Sequence, residues 1–288
     1  MATAGQWLAG ARPRTLGAAV APVLVGTAAA SIDNEIEWPL AIGALVVALA
    51  LQVGVNYAND YSDGVRGTDA HRRGPVRLTA AGLAAPEVVK RAATLSFAVA
   101  GLVGAWLSLI VDARLLIIGA VCLVAAWTYT GGPKPYGYSG LGELMVLICF
   151  GFIATAGTTY LQLERVNAEA WWGALVTGLP ACAILLTNNL RDLETDRVAG
   201  KRTLAVRFGA RVSRWLYQAC IAGSFLVVGY LGALHSGVFI AIVAGLFALG
   251  PMRIVNEHDD APSLVRALIL TARFQLVLAV LVTVGLWA

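Results

Sequence analysis

The sequence has 288 residues, of which 58% are hydrophobic and only 13% are charged, whereas an average soluble domain carries roughly 25% charged residues. This composition, with the apolar residues gathered into long blocks, excludes a water-soluble domain and predicts an integral membrane protein embedded in a lipid bilayer. The net charge of +4 does not indicate a nucleic-acid partner, because basic residues between membrane spans have a topological explanation.

Nine apolar runs of roughly 17 to 24 residues are long enough to cross the hydrocarbon core as helices. Helices are expected because a spanning segment must satisfy its own backbone polar groups. In chain order, the predicted spans are residues 15–31, 39–58, 87–110, 113–131, 141–161, 171–189, 212–233, 236–252 and 264–287. The prediction is an all-α integral membrane protein with a single transmembrane domain over residues 1–288.

The basic residues indicate which way the chain crosses the membrane. If the N-terminus is cytoplasmic, Arg114 and Arg165 lie on the outer side and Arg273 lies within the ninth span, while every other Lys or Arg lies in an inner segment or within the first few residues at the inner end of a span. Cytoplasmic segments carry an excess of Lys and Arg. The sequence therefore predicts a multi-pass protein of the cell membrane with its N-terminus in the cytoplasm.

Two inner connections, about 59–86 and 190–211, are longer and more polar than the others. Each follows an apolar span and carries closely spaced acids: Asn59-Asp60-Tyr61-Ser62-Asp63 in the first, and Asp192-Leu193-Glu194-Thr195-Asp196 in the second. Because four crossings separate them, both emerge on the same face. They are therefore the candidate functional segments.

The acids in these connections have helical spacing. Residues three or four positions apart share a helix face, so Asp60 is expected to point with Asp63, and Asp192 with Asp196. An ordinary solvated helix end could explain one such pair, but two pairs on one face indicate a cation between repelling carboxylates. Oxygen ligands of this kind suit Mg²⁺, which keeps positions for substrate phosphates. The pattern predicts Mg²⁺ bridging a diphosphate.

Basic and amide side chains flank the two acidic motifs. Lys201 and Arg202 could neutralise diphosphate oxygens directly. Four arginines after the first motif are similar candidates, although positive charge on the cytoplasmic face explains each of them equally well; they are Arg66, Arg72, Arg73 and Arg77. The amides that we predict to bind substrate are Asn56, Asn59, Asn188 and Asn189.

At these two motifs the sequence resembles the UbiA superfamily of intramembrane prenyltransferases. Two motifs of that superfamily are matched, NDxxDxxxD by Asn59, Asp60 and Asp63, and DxxxD by Asp192 and Asp196. The last aspartate of the first motif is replaced by Gly67, with Asp69 as the expected substitute. The resemblance implies nine transmembrane helices around a central cavity, with an active site on the cytoplasmic side that is capped by the two loops at about 59–86 and 190–211. It also implies two Mg²⁺ ions held by these five aspartates. Asp60, Asp63, Asp192 and Asp196 are the predicted catalytic residues.

Longer stretches resemble one branch of the superfamily, the 1,4-dihydroxy-2-naphthoate polyprenyltransferases. They are ARPRTLGAAVAPVLVGTA at 11–28, NDYSDGVRGTD at 59–69, GPVRLTAAG at 74–82, YTGGPKPYGYSGLGE at 129–143 and NNLRDLETDRVAGKRTLAVRFG at 188–209. The resemblance implies that a polyprenyl diphosphate donates its chain to a small aromatic acceptor at the ring carbon bearing the carboxyl group. Loss of CO₂ then gives demethylmenaquinone, an intermediate of menaquinone biosynthesis.

This reaction suggests further candidate residues. Lys134 could attract the carboxylate of the acceptor, and Arg12 and Arg14 are further candidates for this role. Aromatic faces could stabilise an allylic cation by cation–π contact, and the candidates are Tyr57, Tyr61, Tyr129, Tyr136 and Tyr160. Tyr129 is the tyrosine that we predict to bind substrate.

Two alternatives remain open from the sequence. A transporter or channel also carries intramembrane polar residues, but such a pathway should be charged throughout its depth, whereas nearly all the acids here cluster at one face. The other alternative is a prenyltransferase with a different acceptor, such as 4-hydroxybenzoate, homogentisate or haem.

Overall fold

The computed structural model describes residues 2–68 and 77–288, and this part of the chain is almost entirely helical. The α-helices are α1 (Ala4–Ala11), α2 (Gly17–Ser31), α3 (Trp38–Arg66), α4 (Pro86–Val111), α5 (Leu115–Thr128), α6 (Gly142–Val146), α7 (Ala154–Leu163), α8 (Ala168–Arg191), α9 (Leu193–Val198), α10 (Leu204–Leu234), α11 (Gly245–Glu257) and α12 (Ala261–Trp287). Segments of 3₁₀-helix lie at Pro13–Thr15, Tyr136–Ser139 and Ser236–Ala244, and a π-helical segment, Leu147–Ile153, joins α6 to α7.

The prediction of an all-helical, multi-pass membrane protein is confirmed, but the count of nine spans is not. In the described residues, seven helical stretches are long and apolar enough to cross a membrane, and α1 with α2 makes an eighth if this pair, bent by 46°, is one span. The predicted fourth span is the 14-residue helix α5. It ends early because Gly131, Gly132 and Pro133 follow, and glycine and proline disfavour further helix.

The two predicted polar connections are more helical than expected. The first motif lies in the last turns of α3, which ends where Gly67 adopts a left-handed conformation with φ of 72°, a geometry that glycine accepts without strain. The second motif spans the end of α8 and the short helix α9. Residues 69–76 lie outside the described part of the chain, and the predicted cap over the site is not confirmed.

The main apolar core lies among α2, α8, α10, α11 and α12. Tyr217, Phe274 and Leu278 are fully buried there. On the other side of the molecule, α3 packs against α4, and α4 against α5. Leu102, Leu109 and other large apolar side chains of α4 and α5 are exposed, as expected for helices whose outer faces contact lipid tails.

Small residues bring some of these helices into backbone contact. A Cβ atom at Gly26 of α2 would lie 2.4 Å from the backbone oxygen of Thr155 in α7, and the Thr159 hydroxyl donates to the Gly26 carbonyl at 2.8 Å. A Cβ atom at Gly178 of α8 would lie 2.9 Å from Cα of Gly151 in the π-helical segment. Such close approaches stabilise helix association in lipid by packing and hydrogen bonding.

Candidate active site

A cavity of about 560 Å³ lies between α2, α3, α4, α5, α6, α7 and α8. Its walls along the middle of the helices are apolar, with Val47, Leu51 and Leu123 among the lining residues. Polar side chains contributed by both sequence motifs line it too, namely Asn56, Asn59, Asp63, Arg77, Asn188, Asn189, Asp192, Asp196 and Lys201. A compartment that combines apolar walls with charged groups suits an amphiphilic ligand.

Asp63, an acid of the first motif, has polar and basic side chains around both of its carboxylate oxygens. One of its oxygens accepts a hydrogen bond from the Tyr138 hydroxyl. The other lies 3.7 Å from Nη2 of Arg77 and 3.4 Å from Nζ of Lys201. Burial first, and then the negative charge of Asp63, raise the pKa of the Tyr138 phenol above its ordinary value. Tyr138 therefore stays protonated and can donate to the carboxylate.

Asp60 does not share this environment, contrary to the expectation that it points with Asp63. Its Oδ2 and Oδ1 accept hydrogen bonds from the backbone N–H groups of Leu78 and Thr79, both at 2.8 Å, and Asp60 is absent from the cavity wall. Spacing of three residues gives similar directions but not identical surroundings. Asp60 therefore holds the turn that follows Arg77 against the end of α3.

The second motif is held by basic side chains. Nε of Arg191 donates to Oδ1 of Asp192 at 2.8 Å, and its Nη2 donates to Oδ2 of Asp192 and to Oδ1 of Asn188. Asp196, one helical turn further on, lies 3.6 Å from Nζ of Lys201. Both acids are buried and line the cavity.

Lys201 brings the two motifs together. Its Nζ contacts carboxylate oxygens of Asp63 and Asp196, so these oxygens are at most 7.0 Å apart, the sum of the two contact distances. The ammonium group also lies 4.7 Å from the centre of the Tyr138 ring, within the range of a cation–π contact. Acids more than 130 positions apart in the sequence therefore converge, as the motifs predict.

Three of the predicted asparagines are fixed by their own hydrogen bonds. Nδ2 of Asn56 donates to the Ala11 carbonyl at 2.9 Å, which ties α1 to α3. Oδ1 of Asn59 accepts from the Thr130 hydroxyl at 2.7 Å, and Nδ2 of Asn189 donates to the Glu143 carboxylate at 2.8 Å. The side chains are therefore held in place before any ligand binds.

Other predicted site residues lie elsewhere. Lys134 and Arg202 are exposed and do not line the cavity, although Arg202 directly follows Lys201 in the sequence. Asp69, Arg72 and Arg73 lie outside the described residues. Tyr129 lines the cavity, and its binding of substrate stays a prediction.

Several residues of the site were missed or undervalued in the sequence. Arg77 was one of four equivalent arginines, and Arg12 only an alternative to Lys134, yet both line the cavity. Tyr138, Arg191 and Glu143 were not predicted. Adjacency to Asp192 could have identified Arg191, whereas the contacts of Tyr138 and Glu143 depend on partners distant in sequence.

The carboxylate side chains of the site offer the type of donor atom that Mg²⁺ binds, but their negative charge is balanced by basic side chains of the protein. Asp63, Asp192 and Asp196 offer the hard oxygen atoms that Mg²⁺ prefers. Within residues 2–68 and 77–288, however, no three acidic, histidine or cysteine side chains are grouped closely enough to hold a metal ion. Lys201 and Arg191 occupy the neighbourhood of these carboxylates instead.

Carboxylates and cations thus converge in a largely apolar cavity among membrane helices, an arrangement suited to an amphiphilic ligand with a charged head group. The family model described as the UbiA prenyltransferase family matches residues 19–286. The chain therefore belongs to the UbiA prenyltransferase family.

Individual relatives agree with this assignment. The chain is 48% identical over 256 residues to 1,4-dihydroxy-2-naphthoate octaprenyltransferase of Mycobacterium tuberculosis, covering 88% of each chain. It is 37% identical over 265 residues to the Escherichia coli protein of the same name, covering 88% of this chain and 86% of the other. The fold is similar to that of a UbiA homologue from Archaeoglobus fulgidus bound to GPP and Mg²⁺, with a TM-score of 0.66, 14% identity and coverage of 96% and 99%.

Proposed function

We propose that this protein transfers a polyprenyl group from polyprenyl diphosphate to 1,4-dihydroxy-2-naphthoate, with loss of CO₂, giving demethylmenaquinone for menaquinone biosynthesis. The observation that carries the proposal is the convergence of Asp63 and Asp196 on Lys201 in a largely apolar cavity. The identity of the acceptor is supported by 48% identity to the Mycobacterium tuberculosis 1,4-dihydroxy-2-naphthoate octaprenyltransferase.

The charged side chains would bind the diphosphate of the donor. Asp63, Asp192 and Asp196 would hold Mg²⁺, proposed as two ions, and bound Mg²⁺ stabilises the negative charge that develops on the departing diphosphate. Lys201 and Arg77 lie 3.4 and 3.7 Å from the same oxygen of Asp63. Both can therefore contact phosphate oxygens beside the carboxylates.

Asp60 is proposed to support this site without contacting the substrate. It binds the backbone amides that directly follow Arg77. The turn is thereby fixed against α3, and Arg77 is held beside Asp63. Asp60 is then a positioning residue for a phosphate-binding cation.

The apolar walls would accommodate the prenyl chain and exclude water. An allylic cation formed when the C–O bond breaks would be trapped by water as an alcohol, so a dry cavity protects the reaction. Tyr129 lines this cavity and presents an aromatic face, which can stabilise a nearby cation by about 0.5–2 kcal/mol. The aromatic acceptor would bind between this wall and the diphosphate.

We also propose that the chain forms one transmembrane domain of the cell membrane, with the N-terminus and the charged site at the cytoplasmic face. The support is the concentration of basic residues in the segments on that predicted side, including Arg77, Arg191 and Lys201. Attaching a reporter to either terminus would test the orientation.

The acceptor is tested by comparing substrates with purified protein. One radiolabelled prenyl diphosphate is supplied with 1,4-dihydroxy-2-naphthoate, 4-hydroxybenzoate, homogentisate or haem. We expect label to enter the naphthoate product, accompanied by release of CO₂. Labelling of another acceptor with no transfer to 1,4-dihydroxy-2-naphthoate would refute the proposal.

The catalytic assignment is tested by Asp63→Asn and Asp192→Asn. Each substitution removes a metal-binding charge and should abolish transfer while the protein remains inserted in the membrane. Excess EDTA should also stop wild-type turnover, and added Mg²⁺ should restore it. Glu194→Gln is the matched control, since Glu194 is exposed and pairs with Arg197 on the surface; full turnover in EDTA would contradict the metal mechanism.

A further inference from the structure

Glu143 is a buried acid beside the cavity for which the mechanism above gives no role. It lies in the first turn of α6, where its neighbours Gly142 and Met145 line the cavity. The residue is only 7% exposed. Its Oε1 accepts the 2.8 Å hydrogen bond from Nδ2 of Asn189, which places an acid directly behind an amide of the cavity wall.

The second carboxyl oxygen of Glu143 is expected to destabilise the folded protein. Within the described residues, Oε2 is buried and has no hydrogen-bond partner. A buried polar oxygen without a partner destabilises the folded protein, and a carboxylate does so most strongly. Packing alone would favour an apolar side chain here, so a role in function explains the acid better.

Glu143 determines which end of the Asn189 amide faces the cavity. Nδ2 of Asn189 donates to Glu143, so the amino group of Asn189 is turned towards this acid and its carbonyl oxygen, which can only accept hydrogen bonds, is left for the ligand. Asn59 has the opposite arrangement, since its carbonyl oxygen accepts from Thr130 and its amino group is left for the ligand. One amide of the site thus offers donors, and the other offers an acceptor.

The donor group of Asn59 and the acceptor group of Asn189 match different parts of the substrates. Ionised phosphate oxygens accept hydrogen bonds, so they fit the amino group of Asn59. A phenolic hydroxyl donates, so it fits the carbonyl oxygen of Asn189. We propose that Glu143 is a positioning residue that holds the Asn189 carbonyl towards a hydroxyl group of the aromatic acceptor, so that the pair selects acceptors with a free hydroxyl. This inference rests on the proposed function.

The test compares 1,4-dihydroxy-2-naphthoate with its two mono-O-methyl ethers. A site built to bind a hydroxyl rejects an analogue that lacks it, so the wild type should discriminate against one of the ethers. Glu143→Leu removes the partner of Asn189 and should raise KM for the acceptor by roughly tenfold, as expected for one hydrogen bond, while KM for the donor stays unchanged. The preference for the free hydroxyl should fall by a similar factor.

Glu143→Gln should have a smaller effect, because a glutamine oxygen can still accept from Asn189. Equilibrium binding of the acceptor without prenyl donor, followed by protein fluorescence, gives a readout independent of turnover and needs only folded protein. Glu194→Gln, an exposed acid of α9, is the control and should behave as the wild type. Purified variants are compared at equal folded fraction, and Glu143→Met, which also removes the partner of Asn189, replaces the leucine variant if that variant does not fold.

Two results would overturn the inference. Unchanged acceptor binding and unchanged discrimination in both Glu143 variants would show that Asn189 needs no orientation. A rise in KM for the donor or in the Mg²⁺ requirement, without an effect on the acceptor, would show that the Asn189 oxygen serves the metal or the diphosphate. Either result in an enzyme that prenylates 1,4-dihydroxy-2-naphthoate leaves the proposed function intact, whereas a wild type that does not prenylate it refutes that function first.

Discussion

Replacing Lys201 by methionine tests whether the positive charge of Lys201 balances the negative charges of the converging carboxylates. Lys201, Asp63 and Asp196 have side chains that are 11%, 4% and 11% exposed, and the two contacts measure 3.4 and 3.6 Å. At an effective dielectric constant of about 20, each contact contributes about 4–5 kcal/mol of attraction. Desolvation offsets much of this, and removal of one partner from a buried ion pair costs about 3–5 kcal/mol.

We therefore expect Lys201→Met to lower the free energy of unfolding of the Mg²⁺-free protein by about 3 kcal/mol. Added Mg²⁺ should stabilise the variant more than the wild type, because it supplies the missing positive charge beside Asp63 and Asp196. Tryptophan fluorescence during thermal unfolding in detergent, with and without Mg²⁺, measures both effects.

Lys90→Met is the matched control for this experiment. Lys90 is exposed and lies over the Tyr61 ring at 5.6 Å, so its loss should change stability little and leave the effect of Mg²⁺ unchanged. Our account of the site would be refuted if Mg²⁺-free Lys201→Met were as stable as the wild type, or if Mg²⁺ stabilised both proteins equally.

Three further substitutions have defined outcomes. Lys134→Met should leave KM for the acceptor unchanged in a transfer assay, because Lys134 is exposed outside the cavity, and a raised KM would restore its predicted role. Asp60→Asn should destabilise the protein to thermal unfolding by about 1–3 kcal/mol, since one buried amide loses its acceptor. Gly26→Ala should lower the unfolding temperature by overpacking, typically costing about 1–3 kcal/mol, whereas Gly119→Ala, which meets open space, should not.

The convergence of the acidic motifs could be predicted because it depends on local rules. Charged residues are rare in membrane spans and are usually functional. Helical spacing and the number of intervening spans together place Asp63 and Asp196 at the same end of the bundle. In the structure Lys201 contacts both acids. The sequence motifs predict that the acids lie near each other, but not that one lysine joins them.

Asp60 and Lys134 show where local rules are insufficient. Spacing indicates that Asp60 and Asp63 have similar directions on α3, but the partner of Asp60 is a turn 18 and 19 positions away. Lys134 stands between two prolines in a connection, and no local pattern fixes the direction of its side chain. In both cases the surroundings depend on how separate segments pack.

Glu143 was missed for a different reason. A single acid at the start of an apolar helix looks like an ordinary interfacial residue, because an acid near a helix N-terminus is favourable in itself. The role proposed for it depends on the contact with Asn189, 46 positions away, and one sequence does not contain that information.

The π-helical segment Leu147–Ile153 affects the relative directions of the side chains before and after it in the same membrane span. Downstream of it, the Thr155 and Thr177 hydroxyls share a 2.9 Å hydrogen bond between α7 and α8, and upstream of it Glu143 contacts Asn189 on the same α8. Each residue of a π-helix turns the chain by less than the roughly 100° of an α-helix residue, so the residues upstream of this segment face a different direction from those of an uninterrupted α-helix of the same length. A single wide turn thus allows one continuous span to meet its neighbour correctly at two different depths.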